Sequence, residues 1–156
     1  MEIDTGGLTM RWIIFGVVLV LLVLVIVGGY KNNEVPSELG VENGKLAKLP
    51  ASPNAVSSQT EVEDKYVEPL AFKTDLATSY QQILSILEQD PSIEILKQQD
   101  AYIHAVASTE GIGFKDDLEF YFDRESQVIH YRSASRVGYS DFGKNRARYN
   151  EIKKKY

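Results

Sequence analysis

Hydrophobic positions are distributed very unevenly along this chain. From Trp12 to Gly29 it reads WIIFGVVLVLLVLVIVGG, without a single charge. As a helix rising about 1.5 Å per residue, that run covers roughly 27 Å, close to a hydrocarbon core of about 30 Å. Arg11 and Trp12 at one end, and Tyr30 and Lys31 at the other, are the side chains that settle at a membrane interface. The pattern predicts a short N-terminal tail over residues 1–11 and a transmembrane helix over residues 12–30. The apolar run exceeds the usual core of a signal peptide, about 7–15 residues, and no A-x-A-like site follows it, so an uncleaved anchor is expected.

Residues 31–50 have no sustained period and are rich in Asn, Gly and Pro, which reads as a flexible linker. Beyond it, residues 51–156 carry the patterns of one soluble domain. Leu76, Tyr80, Ile83, Leu84 and Leu87 form one apolar helical stripe, with Thr74 or Asp75 able to cap its start and Pro91 ending it. Two strands are expected next, Ile93–Lys97 and Ala101–Thr109, followed by a glycine-bearing turn over Glu110–Phe114.

Asp117–Asp123 then alternates, with Leu118, Phe120 and Phe122 on one face and Asp117, Glu119 and Tyr121 on the other. Gln127–Ser133 returns with Ile129 and Tyr131 against His130 and Arg132. Only an even-length connection, Arg124–Glu125 or Arg124–Gln127, puts Ile129 and Tyr131 on the phenylalanine face. Glu119 then faces His130 or Arg132. A last helix over about Asp141–Lys155 is expected to align Phe142, Tyr149, Ile152 and Tyr156. The sum is an α+β fold: a two-layer domain in which an antiparallel meander of about four strands packs against two helices, preceded by one transmembrane helix. Both helices are expected to cover the phenylalanine face and leave the second face partly open.

Composition narrows the chemistry. The chain has 156 residues, a formal charge of −5 and no cysteine, which excludes disulfides, thiolate metal sites and a cysteine nucleophile. A mildly acidic chain is a poor nucleic-acid binder, so none is expected as a partner. Charge is split: residues 51–123 hold 4 basic and 14 acidic side chains, a balance of −10, while residues 124–156 hold 9 and 3, a balance of +6. Either the halves neutralise each other across the sheet, or the basic half, with Arg146, Arg148 and Lys153–Lys155, faces anionic lipid or a partner.

No strong catalytic signature is present. There is no G-x-S-x-G elbow and no phosphate-binding Walker pattern. Asp116, Asp117 and Glu119 have the chemistry for a hard cation, but not the spacing of a calcium loop, so neither a metal nor a cofactor is expected. His104 with an acid such as Glu119 is the one general-base option, and it defines a membrane-tethered hydrolase as an alternative. The densest polar run, Arg132 to Arg146, supplies planar guanidinium forks at Arg132 and Arg136 that suit carboxylates. We therefore expect one corner built from Asp116, Asp117, Glu119, Arg132, Ser133, Arg136, Tyr139, Asp141, Asn145 and Arg146. It serves either as a hydrogen-bonded strand-to-helix joint or as an anion-recognition site.

The stretches SPNAVSSQ (52–59), YIHA (102–105), GFKDDLEFYFD (113–123) and RSASRVGYSDFGKNR (132–146) resemble the bacterial and plastid family called domain of unknown function 1499, over about residues 49–153. Many of its members carry cysteines flanking the SPN motif; here Leu49 and Ala55 stand in those places. The resemblance implies a small, often membrane-tethered or exported domain, and brings no established reaction.

Together these observations predict a single-pass membrane protein whose domain binds a membrane-protein partner or a small anionic ligand. Surface binding to anionic lipid through the C-terminal basic helix is a further alternative. A count of Lys and Arg around the span favours the domain inside, but long domains translocate largely regardless of charge. The expected placement is a bacterial inner membrane, with the N-terminus cytoplasmic and the domain periplasmic.

Overall fold

The computed structural model describes residues 5–156, and side chains from Met10 onward, so the first four residues of the expected tail lie outside it. The described chain forms two compact units, divided between Glu34 and Val35. The first is α1 (Thr5–Asn33), whose stretch Met10–Asn33 contains an 18-residue window of mean hydropathy 3.0 and is long and apolar enough to cross a membrane. The helix takes in the second half of the expected tail. It also runs past Tyr30, because Lys31, Asn32 and Asn33 carry no breaker.

The second unit is an α+β domain. Its elements are β1 (Val41–Glu42), β2 (Lys45–Leu46), β3 (Ala55–Ser57), a 3-10 turn at Glu63–Lys65, β4 (Leu70–Ala71), α2 (Leu76–Glu88), β5 (Ile93–Gln99), β6 (Tyr102–Ser108), β7 (Lys115–Asp123), β8 (Val128–Ser135) and α3 (Lys144–Lys155). The meander β5–β6–β7–β8 is antiparallel throughout. Two short strands that carry no alternation, β3 and β4, both pair with the outer edge of β8, completing a six-stranded sheet.

Register follows the side-chain alternation. Asp123 pairs with Val128, so the connection is Arg124–Gln127, and Glu119 faces Arg132. Phe120, Phe122, Leu118, Ile129 and Tyr131 therefore share one face with Ile103 and Ala105, and all are fully buried. Helices α2 and α3 close that face with Ile83, Leu87, Tyr149 and Ile152. The rings pack at angles, Phe120 on Tyr131 at 5.1 Å and Tyr131 on Tyr149 at 5.2 Å, as quadrupoles prefer. The start of α2 is capped as its sequence demands, the Asp75 carboxylate accepting the Thr78 N–H at 2.7 Å.

Three expectations need correction. Helix α3 starts at Lys144, not Asp141: Phe142 and Gly143 both have left-handed backbone, with φ of 55° and 79°, which no helix accommodates. Phe142 thus leaves the core stripe and is 92% exposed. Residues 31–50, expected as a flexible linker, hold β1 and β2 as an antiparallel pair. Their turn is Asn43-Gly44 with φ of 50° and 74°, the combination that matches the twist of a two-residue hairpin. Finally, the second face of the sheet is open only at its margins, where Lys97 and Gln99 on β5 are exposed, and is covered over Glu119 and Arg132. Residues 37–48 run across it as a strap: the Gly40 N–H reaches Glu119 on β7, Lys48 approaches Arg132 on β8, and the remainder borders Lys97 and Gln99 on β5.

Candidate functional site

Strand geometry sorts the ten candidate residues before any chemistry does. Successive side chains on a strand point to opposite faces. Asp117 and Glu119 lie on the strap side with Arg132, while Asp116 and Ser133 point to the helix side. Asp116, Asp117 and Glu119 therefore cannot converge on one cation. Among the described residues no group of three or more potential ligands is placed to hold a metal.

On the strap side the two arginines are already engaged. Arg132 Nη1 donates to Glu119 Oε2 at 2.9 Å, and Glu119 Oε1 also accepts the Tyr102 hydroxyl at 2.7 Å and the Gly40 N–H at 2.8 Å. Arg136 grips Asp117 with both arms of its fork, Nε to Oδ2 at 2.8 Å and Nη2 to Oδ1 at 2.7 Å. His104 Nε2 bonds the same Oδ1 at 2.8 Å. Side-chain exposure is 5% for Arg132, 3% for Arg136 and 5% for His104, so bulk water reaches none of these pairs freely.

Their electrostatics fit closed pairs. Burial works to raise the Asp117 carboxyl, but hydrogen bonds from Arg136 and His104, and their charges, outweigh it and hold the group below the ordinary carboxylate value. Burial, and then the Glu119 carboxylate beside it, push the Tyr102 phenol upward. The general-base option for His104 is not supported by this geometry: its partner is Asp117 rather than Glu119, and it is buried. Among the described residues two buried side-chain atoms have no hydrogen-bond partner, Arg132 Nε on this side and the Tyr131 hydroxyl on the helix side.

On the helix side the polar residues tie three elements together. Asn145, fully buried on α3, bonds the Ser133 hydroxyl through its Oδ1, and its Nδ2 donates to the Asn54 carbonyl at 3.0 Å and to Ser135 Oγ at 3.2 Å. Arg148 bridges Asn145 Oδ1 at 3.0 Å and Asp116 Oδ2 at 2.8 Å, and Ser135 Oγ donates to Asp116 Oδ1 at 2.6 Å. Asn54 Nδ2 in turn donates to the Gly138 carbonyl at 2.7 Å. Asp141 accepts the Asn145 N–H at 2.8 Å and so caps α3 from outside the helix. The SPN and RSASRVGYSDFGKN stretches thus meet through Asn54 and Asn145.

The remaining two candidates stand apart. Arg146 donates to the Tyr66 carbonyl at 3.0 Å and the Asp64 carbonyl at 2.8 Å, fastening the 3-10 turn. Tyr139 is 78% exposed and points into solvent. Basic charge on α3 is partly spent as well, since Arg148 pairs with Asp116 and Lys153 with Glu68.

A different feature emerges where the β6–β7 turn meets the β8–α3 loop. Ile112, Phe114, Tyr139 and Phe142 are all exposed there, and Ile112, Phe114 and Phe142 line a groove of about 250 Å³ with Val137 and Gly138. A ring on left-handed backbone is a genuine outlier for a bulky residue, and such conformations cost about 1–3 kcal/mol. Here the Phe142 N–H donates to Ser140 Oγ at 3.2 Å and the Gly143 N–H to Asp141 Oδ1 at 3.1 Å, which holds the ring outward. Alternation along the strands gives no sign of this patch, which lies in turns. Its available signal was an apolar residue enclosed by turn formers, in Gly111-Ile-Gly-Phe114 and Asp141-Phe-Gly143.

Residues 45–155 match the family model described as "Protein of unknown function (DUF1499)". No curated protein matches. No solved structure matches either.

Proposed function

This chain belongs to the DUF1499 family, and we propose that it is a single-pass membrane-anchored accessory protein whose domain docks an apolar segment of a membrane-protein partner. The observation that carries this reading is the apolar end of the sheet. Three of its four large side chains, Ile112, Tyr139 and Phe142, are more than 70% exposed, and Phe142 is held outward at a cost in backbone strain. Exposed apolar side chains gathered around a groove mark a surface that a protein keeps for a partner. The apolar helix at the N-terminus confines that search to proteins of one membrane, which raises their effective concentration. In this reading α1 is retained as the anchor and the domain lies on the extracytoplasmic side of a bacterial inner membrane.

The anion-binding reading has less support. A free carboxylate or phosphate has to displace Glu119 from Arg132 and Asp117 from Arg136, and breaking one partner from a buried pair costs about 3–5 kcal/mol. A lipid-surface role for α3 is weakened by the internal pairing of Arg148 and Lys153.

The test is a photo-activatable crosslinker placed at position 142, or at 139, in the full-length protein in its native membrane, with position 88 on α2 as control. A discrete protein adduct from 142 and 139, absent from 88, is the expected result. Adducts that are equal at all three positions, or absent from all, remove this reading.

A further inference from the structure

The centre of the sheet face opposite the helices is covered by backbone, and four polar contacts hold the strap there. Glu119 Oε1 accepts the Gly40 N–H at 2.8 Å. Gln59 clasps the chain with both ends of its amide, Oε1 accepting the Leu46 N–H at 2.8 Å and Nε2 donating to the Gly44 carbonyl at 2.9 Å. Arg132 Nη2 stands 3.5 Å from the Lys48 carbonyl. Every strap atom in these contacts is a main-chain N–H or C=O. The one side chain that the strap buries fully is Leu46, at 7% exposure.

We infer that this face is a recognition site for a β-type polypeptide segment, filled here by Gly40–Lys48 of the same chain, and that a partner's segment takes the strap's place. Main-chain recognition is indifferent to sequence, so any short extended or hairpin segment with one apolar residue at the Leu46 position satisfies the same donors and acceptors. The site is built independently of its occupant. Glu119 is fixed by Arg132 and Tyr102, and Arg132 keeps a buried Nε without a partner in the structure.

The occupant, by contrast, is held lightly. Val41 through Lys45 are exposed, and β1 and β2 pair with each other and not with the six-stranded sheet. Open surface clefts of about 580 and 590 Å³ flank residues 45–48, so solvent reaches the strap from both sides. A segment with one buried apolar side chain and a few hydrogen bonds opens at far lower free energy than the sheet beneath it. Its release breaks no pairing of the six-stranded sheet, because the strap is not part of that ladder.

The experiment uses the full-length protein in detergent and, as probe, a fluorescent synthetic peptide of residues 36–49. Leu46→Asp in the protein puts a charge at the one side chain that the strap buries and should release the resident strap. The peptide should bind this variant at least tenfold more tightly than wild type. A peptide carrying the same Leu46→Asp change, or Gln59→Ala added to the protein, should abolish that binding. A folded Leu46→Asp protein that does not bind the peptide overturns the inference. Should that variant not fold, hydrogen exchange on the wild type decides: the Gly40 and Leu46 amides should exchange at least tenfold faster than those of Leu118 and Phe120. Equal protection removes the inference. The apolar end is not altered in either arm, so failure here leaves the crosslinking result at position 142 standing, and the reverse.

Discussion

Glu119 and Arg132 face each other across β7 and β8 and close an ion pair of 2.9 Å in which the carboxylate has no exposed surface. Removing one member strands the other. Arg132→Ala should destabilise the domain by about 3–5 kcal/mol, measured by urea unfolding, because Glu119 is left charged and buried. Arg132→Lys should recover only part of the loss, since one ammonium cannot reproduce the fork. An Arg132→Ala protein that unfolds at the wild-type midpoint would show the pair to be open to water.

The Asp117 carboxyl is held below its ordinary value, and the sign of the effect on stability follows. A depressed folded value stabilises above the unfolded value, about 3.9, and that stability is lost as pH falls through the lower folded value. The unfolding free energy of wild type should therefore fall as pH drops below about 4. In Asp117→Asn the same acid limb should be shallower, although the variant is less stable at neutral pH because Arg136 loses its counter-charge and one of its two acceptor oxygens. Parallel acid limbs in the two proteins would assign the titration elsewhere.

Asn145 joins α3 to β8 and to the segment before β3, with no exposed surface of its own. Asn145→Ala should leave the Asn54 carbonyl and the Ser133 hydroxyl without that partner and cost at least about 2 kcal/mol. For a domain of this size, that lowers the melting temperature by roughly 8 °C or more. Circular dichroism melts read it directly. A change under 2 °C would mean that water replaces the amide at no cost.

Phe142 should behave in the opposite way. Asn tolerates left-handed backbone, so Phe142→Asn should raise stability by about 1 kcal/mol while abolishing crosslinks to the partner. Gain of stability with loss of binding separates a docking residue from a structural one. A loss of stability in this variant would instead place the ring in a packing role.

Much of the domain was legible because it is periodic. The stripe through Leu76, Ile83 and Leu87 and the alternation of Leu118, Phe120 and Phe122 carry their own geometry, and both lie buried on one side of the sheet. The requirement for an even connection narrowed the partner of Glu119 to two residues, and the pairing of Asp123 with Val128 selects Arg132. Asn43-Gly44 was a legible signal that was passed over, since it sits between runs too short to alternate. β3 and β4 offered none: with three and two residues they exist only because β8 presents an open edge.

The candidate site was legible in residue type and not in arrangement. Asp116 and Asp117 are neighbours in sequence, yet one serves Arg148 on the helix side and the other Arg136 on the strap side. The alternation that the phenylalanines on the same strand obey separates Asp117, Glu119 and Arg132 from Asp116 and Ser133, so the ten residues form no single corner. Tyr139 takes no part in either polar network and is 78% exposed.

Local sequence by itself determined the apolar helix, the α+β class and the hydrophobic face, because hydrophobic burial acts on periods of 3.6 and 2 that any short window contains. Tertiary structure alone decided that the centre of the second face is covered, that both arginines are filled from within, and which aromatic rings stay outside. Those outcomes depend on where residues 37–48 and the loops flanking Phe114 and Phe142 come to rest, through contacts spanning up to about eighty residues, as between Gly40 and Glu119. No local period encodes such a contact; it exists only once the sheet has formed a surface to receive the strap.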